Sequence, residues 1–335
     1  MPTDLGSCTS GAASYPAYPP EKAMCYMDVL QLLIARLDRL PSGDHSNGLK
    51  AVRLHVEAAI GHFRRGQQEG DETAFTDSIY RCNQAFEGSI KEAYRVLALK
   101  TPDKVTLAEA ETFMTTSGII RKKVLDQFTN YRREWRNPST HDYMLDFDED
   151  EALLAIVSVI VFSIVLCDQI ENRLAFVAAQ STTTPAVPLP TGRLLDQVAE
   201  VLKRFAESYS MPQTDLSPQI KYERVQGALA AFLGSELSGA VIQNPFVGGV
   251  REMDALISAS GEIIAIELKT PRRLRKDMVD HAVRWLDRVI TSAVASGGVA
   301  LMLPADAKDY RIADPDPPHH GIKLVIPQSW QLAKR

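Results

Sequence analysis

The sequence has few cysteines, and they form no pattern that would make them metal ligands or crosslinks. Its four cysteines are scattered through the 335-residue chain, and no C-x-x-C pair occurs. Closely spaced cysteine pairs are typical of zinc ribbons, and small secreted proteins carry cysteines at high density. Both classes are therefore excluded, and we expect a reducing, cytoplasmic location. The cysteines are Cys8, Cys25, Cys82 and Cys167.

The sequence also lacks a net positive charge. It has 37 Lys and Arg against 42 Asp and Glu, for a formal net charge of −5. A protein with this balance has no global attraction to nucleic acid, so any such binding must come from local basic patches. The charged fraction of 24% and hydrophobic fraction of 45% are ordinary for a globular protein. The length predicts two domains of roughly 150 residues each.

Long hydrophobic runs are scarce as well. The opening residues, MPTDLGSCTS, have no basic start followed by an apolar core, so the sequence predicts no secretory signal. The longest apolar run, ALLAIVSVIVFSIVLC at residues 152–167, is shorter than the roughly 20 apolar residues that cross a bilayer. We interpret it as a buried core helix and expect no membrane contact. A membrane helix is the alternative.

Composition and periodicity divide the chain into four segments. Residues 1–23 are rich in Pro, Ser and Thr, which predicts a disordered tail. Residues 24–179 place apolar side chains at helical spacing, which predicts an all-α bundle. The stretch QSTTTPAVPLPTG at residues 180–192 predicts a linker. The helices predicted in the bundle cover residues 24–40, 48–65, 71–99, 107–135 and 149–178.

Residues 193–335 mix helical and strand patterns. Helices are predicted at residues 194–208, 218–237 and 274–295. Strands are predicted at residues 241–247, 253–257, 263–268, 299–303 and 323–326. This order predicts an α/β domain in which helices cover both sides of a small mixed sheet.

The segment MDALISASGEIIAIELK at residues 253–269 predicts a hairpin that carries charged side chains on one face. Successive side chains alternate along a strand, so Glu267 and Lys269 point the same way. Asp254 and Glu267 supply the oxygen ligands that a divalent cation such as Mg²⁺ needs. Lys269 is placed to orient or activate a water beside a phosphate. The pattern predicts a metal-dependent hydrolytic site.

Asp, twelve intervening residues and Glu-x-Lys resemble the core motif of the PD-(D/E)XK nuclease superfamily, which has the restriction-endonuclease-like fold. Met253 stands where the family often has proline. The resemblance implies that Asp254, Glu267 and Lys269 are catalytic, and that both acids bind Mg²⁺. The family commonly carries a further acid on the preceding helix, and Glu223 matches it as a third metal ligand.

A basic cluster follows this hairpin, where a nucleic-acid backbone would pass the cation. It consists of Lys269, Arg272, Arg273, Arg275 and Lys276. A structural alternative applies to the whole segment. In that alternative Glu262, Glu267 and Lys269 form the solvated face of an edge hairpin, and the basic residues are ordinary surface.

A second motif, EWRNPSTHDY at residues 134–143, lies in the helical segment. A residue before proline is pushed out of the α region, so Asn137 before Pro138 predicts a helix end. Asn137 as the N-cap of a following helix is the alternative. In both cases Arg136 and His141 lie at a helix boundary, where their side chains can converge.

This motif resembles the arginine, four to six residues, histidine signature of HEPN domains, helical bundles that often act as metal-independent ribonucleases. The resemblance implies catalytic Arg136, Asn137 and His141. His141 would act as general base on an RNA 2′-hydroxyl, and Arg136 would stabilise charge on the phosphate. It also implies a homodimer, because two such motifs usually face each other. The alternatives are residues that brace a helix junction, or a domain that serves as a scaffold.

Charge is divided around this motif. The basic residues suited to a phosphate backbone are Arg121, Lys122, Lys123, Arg132 and Arg133. The acidic run after the motif predicts a helix start, because carboxylates favour the positive end of a helix dipole. It consists of Asp146, Asp148, Glu149, Asp150 and Glu151.

The two resemblances together imply a prokaryotic defence-type effector with a HEPN domain fused to a PD-(D/E)XK nuclease domain. We expect an endonuclease that cuts DNA with Mg²⁺ at the C-terminal site and cuts RNA without metal at the HEPN site. Other defence-system proteins are among the partners to consider. The alternative is a nucleic-acid-binding regulator whose HEPN domain is a non-catalytic dimerisation or sensing module.

Overall fold

The chain divides into an N-terminal helical part and a C-terminal part that contains a small mixed sheet. The predicted tail, and residues 183–190 of the predicted linker, lie outside the residues that the structure describes. The computed structural model describes residues 28–102, 104–116, 122–137, 146–182, 191–210, 218–237, 240–243, 246–247 and 251–330.

The described N-terminal residues are helical, as predicted. The predicted helix at residues 107–135 corresponds to α4, α5 and a π-helical turn, Arg132–Arg136, and residues 117–121 lie outside the described ranges. The helices are α1 Val29–Leu37, α2 Ser46–Glu69, α3 Thr73–Ala98, α4 Leu107–Thr116, α5 Lys122–Tyr131 and α6 Glu149–Thr182.

Aromatic side chains from three helices meet in the core of the helical part. Phe86 of α3 lies against Tyr131 of α5 and Phe162 of α6, with ring centroids 4.5 and 5.0 Å apart. Aromatic side chains bury large apolar areas, so this cluster holds α3 between α5 and α6. The apolar stripe predicted on α3 is buried, which confirms its role in packing: Ile79, Phe86, Ile90, Ala93 and Leu97.

The acidic run after the second motif starts α6, as predicted. The Asp148 N–H donates to Glu151 Oε2 at 3.1 Å, and the Glu151 N–H donates to Asp148 Oδ1 at 2.9 Å. This reciprocal pair is a capping box, which satisfies backbone donors that the first helical turn leaves open. The carboxylates therefore terminate the helix instead of binding a ligand.

Helix α6 is long and apolar enough to cross a membrane, by length and composition alone. In its most apolar 18-residue window, 61% is buried against the rest of the protein. Such packing is what we expected of a core helix. A stripe of apolar side chains on its first half stays exposed: Leu153, Leu154, Val157 and Val161.

The C-terminal sheet has six strands in the order β1-β4-β5-β6-β8-β7. Strands β1, β4 and β5 are antiparallel neighbours, β5, β6 and β8 run parallel, and β7 closes the far edge antiparallel to β8. The predicted mixed sheet is therefore present. Its strands are β1 Ala240–Gln243, β4 Ala255–Ala259, β5 Glu262–Lys269, β6 Gly297–Met302, β7 Tyr310–Ala313 and β8 Ile322–Pro327.

Helices cover both faces of this sheet, as predicted. Ile266 and Leu268 of β5 pack toward α7 and α8, whereas Ala265 packs toward α9. Because β5 is covered on both sides, its residues form a nearly continuous buried run. The covering helices are α7 Leu194–Ser208, α8 Pro218–Glu236 and α9 Lys276–Thr291.

Two strand predictions are wrong. The single strand predicted at residues 241–247 is divided, because β1 ends at Gln243 and β2, Phe246–Val247, pairs with β3, Arg251–Glu252, in a separate ladder. Strand β7 was not predicted. It is a short edge strand in which only Tyr310 is buried, so its sequence has no clear alternation.

Helix α6 runs to Thr182, past the boundary predicted at residue 179. Its last turns pack against α8 of the C-terminal part, and Glu171 of α6 forms an ion pair with Arg224 of α8. Arg224 also donates to the backbone oxygen of Arg39, just after α1, at 3.3 Å. The two parts of the chain are thus in direct contact through α6 and α8.

Candidate active site

The site forms at the end of the β4–β5 hairpin that lies next to α8. Asp254 occupies the position directly before β4, and its Oδ2 accepts the backbone N–H of Leu268 at 2.5 Å. That N–H lies on β5 between Glu267 and Lys269. The hydrogen bond therefore fixes Asp254 beside both of the other predicted catalytic residues.

Glu267 and Lys269 point the same way, as predicted, and they contact each other. Lys269 Nζ lies 2.5 Å from Glu267 Oε1. Glu267 is 1% exposed, and β5 has β4 on one side and β6 on the other. The alternative of a solvated edge hairpin is therefore wrong. Glu262 is also engaged, because its Oε2 accepts the backbone N–H of Leu194 at the start of α7, at 3.0 Å.

The two acids place unfavourable negative charge in a confined space. Burial raises the pKa of Asp254 to about 6, and the negative charge of Glu267 raises it further in the same direction. The Tyr222 hydroxyl, the Lys269 ammonium and the Leu268 N–H oppose this rise, because each stabilises the carboxylate. A bound cation would act in the same sense as Lys269.

Helix α8 supplies further contacts to Asp254. The Tyr222 hydroxyl donates to Asp254 Oδ1, and Gln226 Nε2 donates to the backbone oxygen of Asp254 at 3.1 Å. Glu223 lies between them in sequence and is fully buried, and its Oε2 accepts from Asn172 Nδ2 of α6 at 3.2 Å. The predicted acid of the preceding helix is thus held at the contact with the helical part.

Met253 replaces the proline that often precedes the aspartate in the resembling family. Its side chain is fully buried beside α9, and Trp285 Nε1 lies 2.8 Å from its sulfur atom. A long, flexible thioether fills this space against α9. The substitution therefore anchors the strand that carries Asp254.

The carboxylates of Asp254 and Glu267 fit a hard divalent cation such as Mg²⁺, because both are oxygen ligands with excess negative charge between them. Among the residues that the structure describes, no group of three or more His, Cys, Asp or Glu side chains is arranged to hold a metal ion. The site therefore presents a pair of acids. The role of Glu223 as third ligand stays a prediction.

The basic cluster after β5 is mostly exposed. Arg272 and Arg273 are exposed directly beyond the end of the strand that carries Glu267 and Lys269. Arg275 is exposed too, but it lies 3.1 Å from Asp277 at the start of α9. Two guanidinium groups therefore stand next to the acid pair, at the side where a phosphate backbone would approach.

The second motif is described only in its first half. Arg136 ends the π-helical turn, and its Nη1 donates to Asn137 Oδ1 at 3.3 Å. Both side chains are half-buried. His141 lies outside the described residues, so its pairing with Arg136 stays a prediction.

Asn137 differs from both readings of its local conformation. It keeps helical dihedral angles, φ −71° and ψ −47°, although Pro138 follows it. Its N–H donates to the oxygen of Arg132, five residues earlier, as in a π-helix. The expectation that proline pushes it out of the α region is wrong, and so is the N-cap alternative, which needs an extended residue.

Glu111 of α4 was not anticipated near this motif. Its Oε2 lies 2.5 Å from Arg132 Nη1, and Arg136 adds a favourable charge interaction. Burial nevertheless raises the pKa of Glu111 overall. Arg133 lies 2.6 Å from Glu134. Two arginines predicted for a phosphate backbone are therefore already paired with acids. Arg121 lies outside the described residues.

Sequence reasoning also missed Tyr222, Gln226 and Asn172. Asn172 belongs to a stretch, DQIEN, that follows the apolar run of α6. The polar members of that stretch are buried: Asp168, Gln169, Glu171 and Asn172. Polar residues that recur on a helix next to an apolar run were the available signal. Comparison of the chain with protein-family models, curated proteins and solved structures gives no match.

Proposed function

We propose that the C-terminal part is a Mg²⁺-dependent nuclease that hydrolyses phosphodiester bonds in DNA. The main support is the convergence of Asp254, Glu267 and Lys269, which the Asp254 to Leu268 hydrogen bond holds together. Two neighbouring carboxylates with a lysine form an arrangement suited to a cation and a phosphate. The raised pKa of Asp254 supports the same proposal, because a cation would relieve the repulsion between the acids.

In this proposal Asp254 and Glu267 hold the cation, which when bound polarises the scissile phosphate and acidifies water. Lys269 orients the attacking water or a phosphate oxygen, and its charge compensates Glu267. Tyr222 fixes the carboxylate of Asp254 by its hydroxyl. The exposed Arg272 and Arg273 neutralise backbone phosphates on either side of the reacting group.

Cleavage of supercoiled plasmid tests this function. The purified chain should nick or linearise plasmid with Mg²⁺ and stop when EDTA is added. Asp254→Asn, which keeps the shape but removes the charge, should remove this activity while the protein stays folded. The matched control is Asp306→Asn, because Asp306 is an exposed loop acid. A folded Asp254→Asn protein that cuts plasmid at the wild-type rate would disprove the assignment.

We further propose that the N-terminal part cleaves RNA without metal, through Arg136, Asn137 and His141. The supporting observation is the half-buried Arg136, which Asn137 holds at a π-helical turn. Such turns are frequent at functional sites. His141 would take the proton of a 2′-hydroxyl, and Arg136 would stabilise the phosphate charge. RNA cleavage that persists in EDTA tests this activity.

A homodimer through α6 is part of the same proposal. The exposed apolar stripe defined above lies on α6, which begins shortly after the Arg136 to His141 motif. A second copy of the chain would cover this stripe and bring two motifs toward one another. Light scattering tests it, because a strict monomer at micromolar concentrations that still cuts RNA would contradict the arrangement.

An alternative has its own support. Arg132 is already paired with Glu111, and Arg133 with Glu134, which removes charge that RNA binding would use. In the alternative, the helical part is a dimerisation or sensing module, and the chain regulates through nucleic-acid binding. A dimer without RNA cleavage under any condition would favour it. A role in prokaryotic defence, together with other defence-system proteins, fits either version of the proposal.

A further inference from the structure

A chain of buried polar groups leads from the helical part into the candidate active site. It begins at Asn172 of α6, which is 8% exposed. Its amide nitrogen donates to Glu223 Oε2 at 3.2 Å and to Gln226 Oε1 at 3.1 Å. A carboxamide nitrogen has two hydrogens, so these two contacts use both of them.

Gln226 transmits this contact to Asp254. The side-chain oxygen of Gln226 accepts from Asn172, which turns its NH₂ group toward the backbone oxygen of Asp254, 3.1 Å away. Gln226 is 2% exposed, so water does not compete for these groups. An amide whose oxygen is fixed on one side has its donor fixed on the other. Asn172 thus determines the orientation that Gln226 offers to Asp254.

The backbones of α6 and α8 approach closely at the same place. A Cβ atom at Gly227 would lie 2.1 Å from the backbone oxygen of Asn172, which leaves no room for any side chain. One turn away, Glu171 forms an ion pair with Arg224. Asn172 is therefore held at a fixed height over Glu223 and Gln226 by a close backbone contact and a neighbouring charge pair.

We infer that Asn172 is a positioning residue of the C-terminal site, so that a helix of the N-terminal part completes the nuclease machinery. Through Glu223 and Gln226 it orients the acid of α8 and the backbone of Asp254. This inference rests on the nuclease function proposed above. Residues that orient metal ligands typically change metal affinity or activity by about 10- to 100-fold when they are altered.

The inference also defines how the two parts communicate. Helix α6 carries the exposed apolar stripe in its first half and Asn172 in its second half. A shift of α6 on dimer formation would move Asn172 relative to Glu223. Displacements of about 1 Å in a positioning residue are enough to change catalytic rates greatly. DNA cleavage would therefore respond to the assembly state of the helical part.

The test is Asn172→Asp in the full chain. This change keeps the shape of the side chain but replaces a donor by an acceptor that faces Glu223 and the Gln226 oxygen. We expect a plasmid cleavage rate at least about tenfold lower, and a Mg²⁺ concentration for half-maximal rate several-fold higher. A purely structural role would lower the melting temperature without moving the Mg²⁺ midpoint.

Two controls separate positioning from general loosening. Glu171→Gln removes the neighbouring ion pair and should lower the melting temperature while the Mg²⁺ midpoint stays at the wild-type value. Asn47→Asp makes the same chemical change at an exposed position of α2 and should leave both quantities unchanged. A folded Asn172→Asp protein with wild-type rate and Mg²⁺ midpoint would overturn the inference. Absence of Mg²⁺-dependent cleavage in the wild type would instead overturn the proposed function, and the inference with it.

Discussion

The two candidate sites differ in how the backbone holds them. Asp254, Glu267 and Lys269 lie on adjacent strands of a six-stranded sheet, where the strand ladder sets the direction of each side chain. Arg136 and Asn137 lie at the end of a π-helical turn, whose wider hydrogen bonds are less regular. Sites on strands keep their geometry when the surface changes, whereas sites at helix ends depend on neighbouring segments.

The difference extends to charge. At the C-terminal site the acids are neighbours, and only Lys269 among the basic residues there lies against them. At the N-terminal site an acid, Glu111, lies against Arg132 and near Arg136. The first site has an excess of negative charge that suits a cation, and the second is closer to balance. One comparison therefore predicts a metal requirement for DNA cleavage and none for RNA cleavage.

The largest expected effect separates the two activities. Lys269→Ala should lower DNA cleavage by about 100-fold or more, since it removes a positive charge beside the reacting phosphate. RNA cleavage should stay at the wild-type rate, because Lys269 lies on the sheet and not in the helical part. Lys308→Ala, at an exposed loop position, is the matched control. If both activities fall together, the two-site comparison is broken.

The reverse experiment uses His141→Ala. It should remove RNA cleavage in EDTA, since the general base is lost, and leave plasmid cleavage in Mg²⁺ intact. Products that carry a 2′,3′-cyclic phosphate in the wild type would sharpen the assignment. His320→Ala, at an exposed position, serves as control. Unchanged RNA cleavage in His141→Ala would exclude this residue as the base.

A third change tests the dimer proposed for the helical part. Ile160 and Phe162, at positions where sequence reasoning placed a candidate interface, are buried within the single chain. Ile160→Asp should therefore unfold the helical part, because a buried charge without a partner costs several kcal/mol. Val157→Asp, on the exposed stripe, should give a folded monomer instead. Light scattering and thermal unfolding distinguish the two results, and a dimeric Val157→Asp protein would place the interface elsewhere.

Much of the fold follows from local patterns that the sequence displays. The apolar stripe of α3 and the capping residues of α6 each predicted an element by a local physical rule, and the structure contains both. Alternation on β5 predicted that Glu267 and Lys269 share a face. Their burial was not predictable, because it depends on β6, which joins β5 only after the α9 crossover.

The contacts that complete the site come from longer distances along the chain. Tyr222 reaches Asp254 across the sheet, and Asn172 reaches Glu223 from another part of the chain. No periodicity in one segment specifies a hydrogen bond to another. The division of residues 241–247 between two ladders has the same origin, since strand pairing is decided by partners and not by propensity alone.

A smaller effect concerns the contact between α6 and α8. Gly227→Ala should destabilise the protein by about 1–3 kcal/mol, because the new Cβ would overlap the backbone oxygen of Asn172. Gly234→Ala is a matched control on the same helix, where a Cβ would meet nothing within 4 Å. That change should be neutral or stabilising, since alanine favours helix more than glycine. Equal stability of both variants would mean that the helices separate readily.

The smallest expected effect is a pH dependence of stability that belongs to the C-terminal site. The pKa of Asp254 is raised from its ordinary 3.8 to about 6, mainly by burial and then by Glu267. Between these values the folded chain holds a proton that the unfolded chain releases. Stability from this group is therefore full below pH 4 and falls as the pH rises through 6.

In chemical unfolding without metal, we expect this loss to be about 1–2 kcal/mol, below the limit of about 1.4 kcal/mol per pKa unit because the half-buried group is partly screened. Added Mg²⁺ should offset the loss above pH 6, since a bound cation stabilises the ionised pair. Asp254→Asn should remove the slope, and Asp306→Asn should keep it. A slope that survives in Asp254→Asn would assign the titration to another group and would remove the excess negative charge that distinguishes the C-terminal site from the N-terminal one.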